Sequence, residues 1–537
     1  MTANHLPGRS AGSRGGHAAS RRWPLAAELL VATTAGALHA LSFSRLDIGW
    51  LQLACVALLA WRVGASAAPG RAALLGGAFS TAWLVGGTWW LFISLHRYGG
   101  MPAWLAGLAV GLLCALLSLY LAAAMAAWAR WRSGRPAADA LLFAAVWLLA
   151  ELARGVIFTG FPWVAAGYAH TDGALGALAP WIGVYGIGAV AAGIAALLAA
   201  ALRASGSGRW LTAAGAAALW WAPLVLPQHF TEATGRLEVA LLQGNVPQEE
   251  KFEPAHQPEA LAWTLRTLAE TRAELVVAPE TAIPLLPAQM PEGLWEGLRS
   301  AFVGGDRAAL VGMPLGSFET GYTNSAVGFS AVAATQPGGF YRYDKHHLVP
   351  FGEFIPPGFR WFVDLMKMPL GDFARGPLDA PSFAVQGERV APNICYEDLF
   401  GEELAARFRD PASAPTIFAN VSNIAWFGES VAIFQHLQIS RMRTLELQRP
   451  MIRATNTGAT AIVDHRGVVT RRLAPHTRGV LEGTVEGRSG LTPFAWWAAR
   501  LGLAPLALLA ASVLAAAAWR VARDSRTTLR RQAQVPF

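Results

Sequence analysis

Charge and cysteine are both scarce in this chain. Charged residues make up 15% of its 537 positions, and there are three cysteines. So little charge excludes an ordinary water-soluble protein of this length, in which about a quarter of residues are charged. Three cysteines exclude a disulfide framework. Cys55 and Cys114 lie in long apolar runs, so Cys395 has no partner in its own region. An oxidising compartment is therefore neither required nor excluded. The glycine fingerprint of a dinucleotide-binding turn is missing, as is any His/Cys spacing that would hold a metal, so no cofactor is expected. His346 and His347 are adjacent and cannot both face one ion from a helix or strand, so they read as hydrogen-bonding residues. No clear small-residue cleavage site follows the first apolar run. Residues 1–23, with Arg9, Arg14, Arg21 and Arg22, read as a disordered basic tail.

What the chain has instead is apolar residues, 54% of the total, with 22 tryptophans among them. Seven apolar runs occupy roughly 24–43, 48–64, 72–95, 102–129, 138–157, 175–202 and 210–227. Most approach the ~20 residues that cross a bilayer core. An eighth lies at 496–519. The net charge of +8 is not a nucleic-acid signature, because the arginines sit at the ends of these runs. They crowd the first tail and the links after the second, fourth and sixth runs, and again 520–531. The positive-inside rule then puts both chain ends in the cytoplasm and the region between the seventh and eighth runs outside it. The expected organisation is a tail 1–23, a seven-helix membrane domain 24–227, an outer domain 228–490, a last span 491–520 and a basic cytoplasmic tail 521–537. Glu151 and Arg154 are the main charges within the spans, spaced to pair with each other.

The outer region changes character. Short β-branched runs at 237–242, 275–279, 308–313, 326–330, 340–343, 390–394, 416–420, 452–455, 459–464 and 479–484 read as strands. Helices are expected at about 256–273, 291–303, 400–408 and 431–447. That alternation is an α/β layered domain. Cys395 follows one strand and precedes Tyr396, Glu397 and Asp398, and a thiol displayed at a strand end is either a nucleophile or a buried small hydrophobe. Glu280 ends a second strand, where burial suits a general base, although a turn carboxylate is the plainer alternative. Lys345 follows a third strand, and a polar, aromatic loop, Asn420–Gly428, follows a fourth.

A Glu, a Lys and a Cys in this order, each at a strand end, resemble the carbon–nitrogen hydrolase (nitrilase) superfamily and its αββα sandwich. The longer pattern adds seven preceding spans and one following. With the segments 243–248, 279–281, 343–353, 394–398, 422–428 and 453–458, it is similar to the apolipoprotein N-acyltransferases. The resemblance implies a multi-helix membrane bundle carrying a nitrilase-like domain, with Glu280, Lys345 and Cys395 catalytic and Glu353 supporting them. Tyr396, Glu397, Asn324 and Trp426 are weaker candidates for the pocket. It also implies the reaction: a fatty acyl chain passes from a membrane phospholipid, through a Cys395 thioester, to the N-terminal amine of a diacylglyceryl apolipoprotein. The expected place is the bacterial inner membrane with the catalytic domain outside, and a monomer is expected. Ile424 and Phe252 depart from that family's common Asp and Trp. The apolar stretch 354–370, with Trp361, Phe362 and Met366, reads as core or, better, as an arm that covers the site or dips into lipid. Two other functions compete. A membrane-tethered amidase would share the three residues but use water, and an inert scaffold or transporter would not need Cys395.

Overall fold

The computed structural model describes residues 23–43, 48–66, 68–317, 319, 321–356, 358, 360 and 373–533, the last six as backbone only. Helices occupy all seven N-terminal runs: α1 (Leu25–Ala40), α2 (Gly49–Val63), α3 (Pro69–Thr88), α4 (Ala103–Trp131), α5 (Pro136–Val156), α6 (Ala179–Arg203) and α7 (Ser207–Trp221). Proline marks most of the starts. Pro69, Pro136 and Pro180 occupy the first turn, and Pro24 and Pro102 immediately precede α1 and α4. There the missing N–H costs nothing and φ is already helical.

By length and composition, five helices among the described residues are able to cross a membrane: Leu25–Phe43, Ala103–Trp131, Pro136–Thr159, Ala174–Arg203 and Ala504–Thr527. A sixth is broken, since Pro69–Thr88 and Leu91–Tyr98 meet at a 62° bend. Glu151 and Arg154 do pair, at 3.4 Å, and the Arg154 guanidinium also donates to the carbonyls of Phe161 and Trp163.

The second half forms two six-stranded sheets. One runs β12 (Gly479–Gly490), β1 (Thr231–Gln243), β2 (Leu275–Ala278), β3 (Ala308–Ser317), β4 (Gly321–Phe329), β5 (Tyr341–Asp344). The other runs β11 (Val469–Arg472), β10 (Ala461–Val463), β9 (Met451–Thr455), β8 (Ile417–Ser422), β7 (Glu388–Ile394), β6 (Phe383–Val385). β1–β3 and β7–β9 are parallel, and the outer strands add antiparallel. The period of two decides the layers. Leu237, Val239 and Leu241 face the second sheet, while Ala240 and Leu242 face α8 (Gln257–Glu270) and α9 (Leu294–Val303). On the second sheet Ile417, Ala419 and Val421 point inward, and Phe418 points out. Its outer face lies on α10 (Ala432–Leu447), which the membrane helices cover on the far side, so α10 is buried nearly all round. This is the expected αββα layering.

All ten expected strands are present. β6 and β11 were not expected, being a three-residue edge and a polar edge strand. The eighth apolar run is not one helix. It divides into α11 (Pro493–Leu501) and α12 (Ala504–Ala533) at Gly502, whose φ of 55° breaks the ladder. α12 continues through the stretch expected as a tail. A second break serves the domain contact: at Gly183 (φ 64°) α6 loses its regular ladder, and the Glu446 carboxylate accepts from the Val184 amide at 2.7 Å.

Candidate active site

Three strand ends converge at one edge of the sandwich. β2 runs through Pro279 to Glu280. β3 passes close behind it, and only glycine fits at 312, because a Cβ there would stand 2.3 Å from the Pro279 carbonyl and 2.7 Å from Glu280 Cα. Glu280 accepts from the Asn324 amide (2.7 Å, Oε1) and from the main-chain N–H of Asn423 (2.8 Å, Oε2). Lys345 follows β5, 1% exposed, with its Nζ 2.9 Å from Glu353 Oε1 and 3.5 Å from Glu280 Oε1. Asn324 also donates to Glu353 Oε1 at 2.7 Å, and the Val349 amide to its Oε2 at 2.8 Å. Glu280, Asn324, Lys345 and Glu353 are therefore one hydrogen-bonded cluster. Burial alone would lower the Lys345 pKa, but the Glu353 and Glu280 carboxylates outweigh it and raise the pKa, so the ammonium stays charged.

Cys395 ends β7 with φ 53°, a left-handed conformation uncommon outside glycine. Its carbonyl accepts from His436 Nε2 (3.1 Å) and Asn420 Nδ2 (3.3 Å). His436 is fixed in turn by Asp398 at 2.8 Å, and Asp398 also takes Arg453 at 3.1 Å and Ser440. Burial opposes the ionised Asp398, yet His436 and Arg453 hold it below its ordinary range. Burial pushes the Cys395 thiol up to about 12, with the Glu280 carboxylate adding to the rise and the Lys345 ammonium opposing it. Free ionisation at neutral pH is thus strongly opposed. A neighbouring base that takes the proton as the sulfur attacks would lower that barrier.

Two of the weaker candidates sit beside the site with their side chains engaged elsewhere. Glu397 reaches under the strand. Its Oε1 accepts from the His346 (2.7 Å) and His347 (3.2 Å) amides, its Oε2 from the Ile394 amide (2.6 Å), and both from the Tyr343 hydroxyl. It ties the Lys345 segment to the Cys395 strand. The Tyr396 hydroxyl donates to the Gly160 carbonyl of the membrane domain at 3.0 Å. Trp426 is 39% exposed and meets Tyr98 edge-on at 5.6 Å, while its neighbour Phe427 packs on Trp90 at 4.2 Å. Ile424 is buried and Phe252 half-exposed. Trp361, Phe362 and Met366 lie outside the described residues. His346 and His347 bond to the Gly376 carbonyl and to Glu403, at 2.8 and 2.9 Å.

Four residues at the site had no role assigned from sequence: Asp398, His436, Arg453 and Lys251. The Lys251 ammonium donates to the Glu280 carbonyl at 3.0 Å. Its loop is secured by Asn456, which accepts from Val246 N–H at 3.0 Å and donates to the Val246 carbonyl at 2.8 Å. Only the rarity of lysine in this chain would have drawn attention to it.

Residues 35–197 match the family model described as the apolipoprotein N-acyltransferase N-terminal domain, and residues 238–493 the one described as carbon-nitrogen hydrolase. Among curated relatives, the apolipoprotein N-acyltransferase of Verminephrobacter eiseniae is 54% identical over 510 residues, covering 90% of this chain and 94% of that one. That of Ralstonia nicotianae is 48% identical over 497 residues, covering 91% and 92%. Among solved structures, a carbon-nitrogen hydrolase from Helicobacter pylori aligns with TM-score 0.35 at 15% identity, covering 47% of this chain and 89% of that one.

Proposed function

The chain belongs to the apolipoprotein N-acyltransferase family, and we propose that Cys395 carries the acyl group between donor and acceptor. The protein is an acyltransferase with a nitrilase-like domain and a helical membrane region. The observation that carries the residue assignment is the single hydrogen-bonded cluster of Glu280, Asn324, Lys345 and Glu353, whose three charges all act on the strand-end Cys395.

Glu280 takes the Cys395 proton as the sulfur attacks the ester carbonyl of a membrane phospholipid. Lys345 Nζ and a main-chain N–H near Cys395–Tyr396 stabilise the oxyanion, and losing one such donor typically costs ~10²–10³ in rate. The ester C–O bond breaks, Glu280 returns its proton to the leaving oxygen, and a lysophospholipid departs from the acyl thioester. The α-amine of a diacylglyceryl-cysteine at the apolipoprotein N-terminus then attacks. Glu280 accepts its proton, the C–S bond breaks, and the thiol is regenerated with an amide on the product. Glu353 holds Lys345 throughout.

Membrane placement follows the same reading. Residues 24–227 form the bundle and 228–490 the catalytic domain on the outer side of the bacterial inner membrane, worked by a monomer. Both substrates keep their chains in lipid, since each buried CH₂ is worth ~0.8 kcal/mol. The contacts of Tyr396 with Gly160 and Trp426 with Tyr98 support a site at the top of the bundle.

Intact mass spectrometry after incubation with phospholipid alone tests this. The expected result is one acyl adduct on Cys395, discharged by a lipopeptide amine. An adduct discharged only by water would replace acyl transfer with hydrolysis, and no adduct would remove the thioester.

A further inference from the structure

Of 43 basic residues, all but three are arginine; the lysines are Lys251, Lys345 and Lys367. Lys367 lies outside the described residues, and the other two are both buried at this site, Lys251 at 6% exposure. Elsewhere among the described residues buried cations are arginines: Arg62, Arg443 and Arg453 pair with carboxylates, while Arg449 donates to main-chain carbonyls far from any carboxylate cluster. Lys251 differs in being a lysine and in standing on the main chain of a cluster carboxylate, Glu280. Its ammonium meets the Glu280 carbonyl oxygen at 3.0 Å and makes no ion pair among the described residues.

We infer that Lys251 is a positioning residue for the reaction: its charge balances the second carboxylate of the cluster and makes the Cys395 thiolate accessible, while its hydrogen bond fixes the strand end that carries Glu280. This rests on the nucleophile role proposed for Cys395.

The charges around the thiol carry the argument. Glu280 and Glu353 face one ammonium, Lys345, so that trio alone leaves one excess negative charge. A thiolate beside an excess negative charge is disfavoured. Lys251 restores the balance. The other charged groups of its own loop are engaged away from the thiol, Glu249 with Arg97 at 2.5 Å and Glu250 toward His256 at 3.9 Å. The remaining neighbours, Gln248, Asn423 and Asn456, are neutral and bonded to each other. Behind the thiol, Arg453 is matched by Asp398. Burial brings Lys251 down to about 8, with Glu280 and Cys395 holding it up, so it is charged at neutral pH and loses that charge just above. A lysine suits this place because it is compact and titrates, unlike the guanidinium fork.

The test uses the full chain in nanodiscs and iodoacetamide as probe. Cys395 carbamidomethylation is followed by peptide mass spectrometry from about pH 6 to about pH 10. Lys251→Met removes charge and hydrogen bond; Lys251→Gln keeps a donor without charge; Lys251→Arg keeps the charge. Removing a positive charge raises the thiol pKa. Met and Gln are therefore expected to slow alkylation about tenfold at neutral pH, where Lys251 is charged. Arg follows wild type up to about pH 8 and stays faster above it, because a guanidinium keeps its charge. The gap between wild type and the neutral variants closes above about pH 8, where Lys251 itself becomes neutral. Folding is checked by melting temperature, and Gln serves should Met not fold. A Gln profile superposed on wild type overturns the inference, whatever Met does. A wild type whose Cys395 shows no titrating reactivity removes the nucleophile role and this inference with it; a titrating wild type with unmoved variants removes this inference alone.

Discussion

Replacing Glu397 by Gln separates a pocket residue from a structural tie. The carboxylate accepts on both oxygens: His346 and His347 amides on one side, the Ile394 amide on the other, and the Tyr343 hydroxyl between them. A glutamine has one acceptor oxygen. In either flip its NH₂ group points at a backbone N–H from 2.6–2.7 Å, where two donors repel. One charge-assisted bond is lost, worth about 1.5–3 kcal/mol, and one buried amide is orphaned, costing about 1–3 kcal/mol. The sum is about 2.5–6 kcal/mol, which for a domain of this size lowers the melting temperature by roughly 10 °C or more. Because the affected amides flank Lys345, its ammonium shifts relative to the thiol, and a displacement of ~1 Å costs ~10²-fold in turnover. Tryptophan fluorescence melting and an acyl-transfer assay on a lipopeptide read the two effects. Tyr343→Phe is the control, since it removes one hydroxyl donor and leaves every backbone bond to the carboxylate; it should cost about 1 kcal/mol. A Glu397→Gln protein that melts within about 2 °C of wild type and keeps its turnover refutes the reasoning.

Glu353→Gln is expected to lower turnover about 10²-fold, because Lys345 then pairs with Glu280 alone, yet to speed iodoacetamide alkylation of Cys395, since a negative charge that raises the thiol is gone. Parallel loss of both rates would sink it. Gly312→Ala places a Cβ 2.3 Å from the Pro279 carbonyl, so Glu280 moves; stability should fall by about 1–3 kcal/mol and turnover by more than that predicts, read by the same two assays. Asp398 is held below its unfolded pKa, so its contribution is present at neutral pH and lost as pH falls through the folded value. Wild type should lose melting temperature in acid below about pH 4, and Asp398→Asn should melt lower at neutral pH with a flatter acid limb.

The strand ends were legible because the catalytic candidates terminate β-branched runs buried on both faces, which stand out in any window. The seven N-terminal helices were legible for the same reason, their apolar length. What escaped had no such contrast. β6 is three residues and β11 is mostly exposed, so neither carries an alternation. The eighth run reads as continuous by hydropathy, and only the left-handed Gly502 divides it. Glu397 and Tyr396 looked like pocket residues because they adjoin Cys395 in sequence. The 3-10 turn that begins at Cys395 sends them apart, one back under the strand and the other toward residue 160. Lys251 stands in a Gln-Glu-Glu-Lys stretch that looks like solvated surface; its burial depends on Asn456, some two hundred residues away.

The position of the thiol is set from both halves of the protein. Its carbonyl accepts from His436, whose ring stacks on Trp163 of the membrane domain at 5.7 Å. The next residue along α10's buried side, Gln435, takes the indole N–H groups of both Trp163 (2.8 Å) and Trp90 (3.0 Å) and donates to the Gly87 carbonyl (3.0 Å). On the other flank of the thiol Tyr396 holds Gly160. These bonds are buried, so breaking any one strands a polar group out of water at about 1–3 kcal/mol. The rim is different in kind. Arg97–Glu249 is an exposed pair, the class worth about 0–1 kcal/mol, and Trp426 meets Tyr98 through partly open faces. The two seams therefore differ in strength, strong under Cys395 and weak at the edge where Trp426 stands. A nitrilase-like domain cut free of its helices would keep its sheets, whose core lies between the strands, but would lose the partners that orient His436 and Tyr396. The helices thus help to hold the geometry around Cys395.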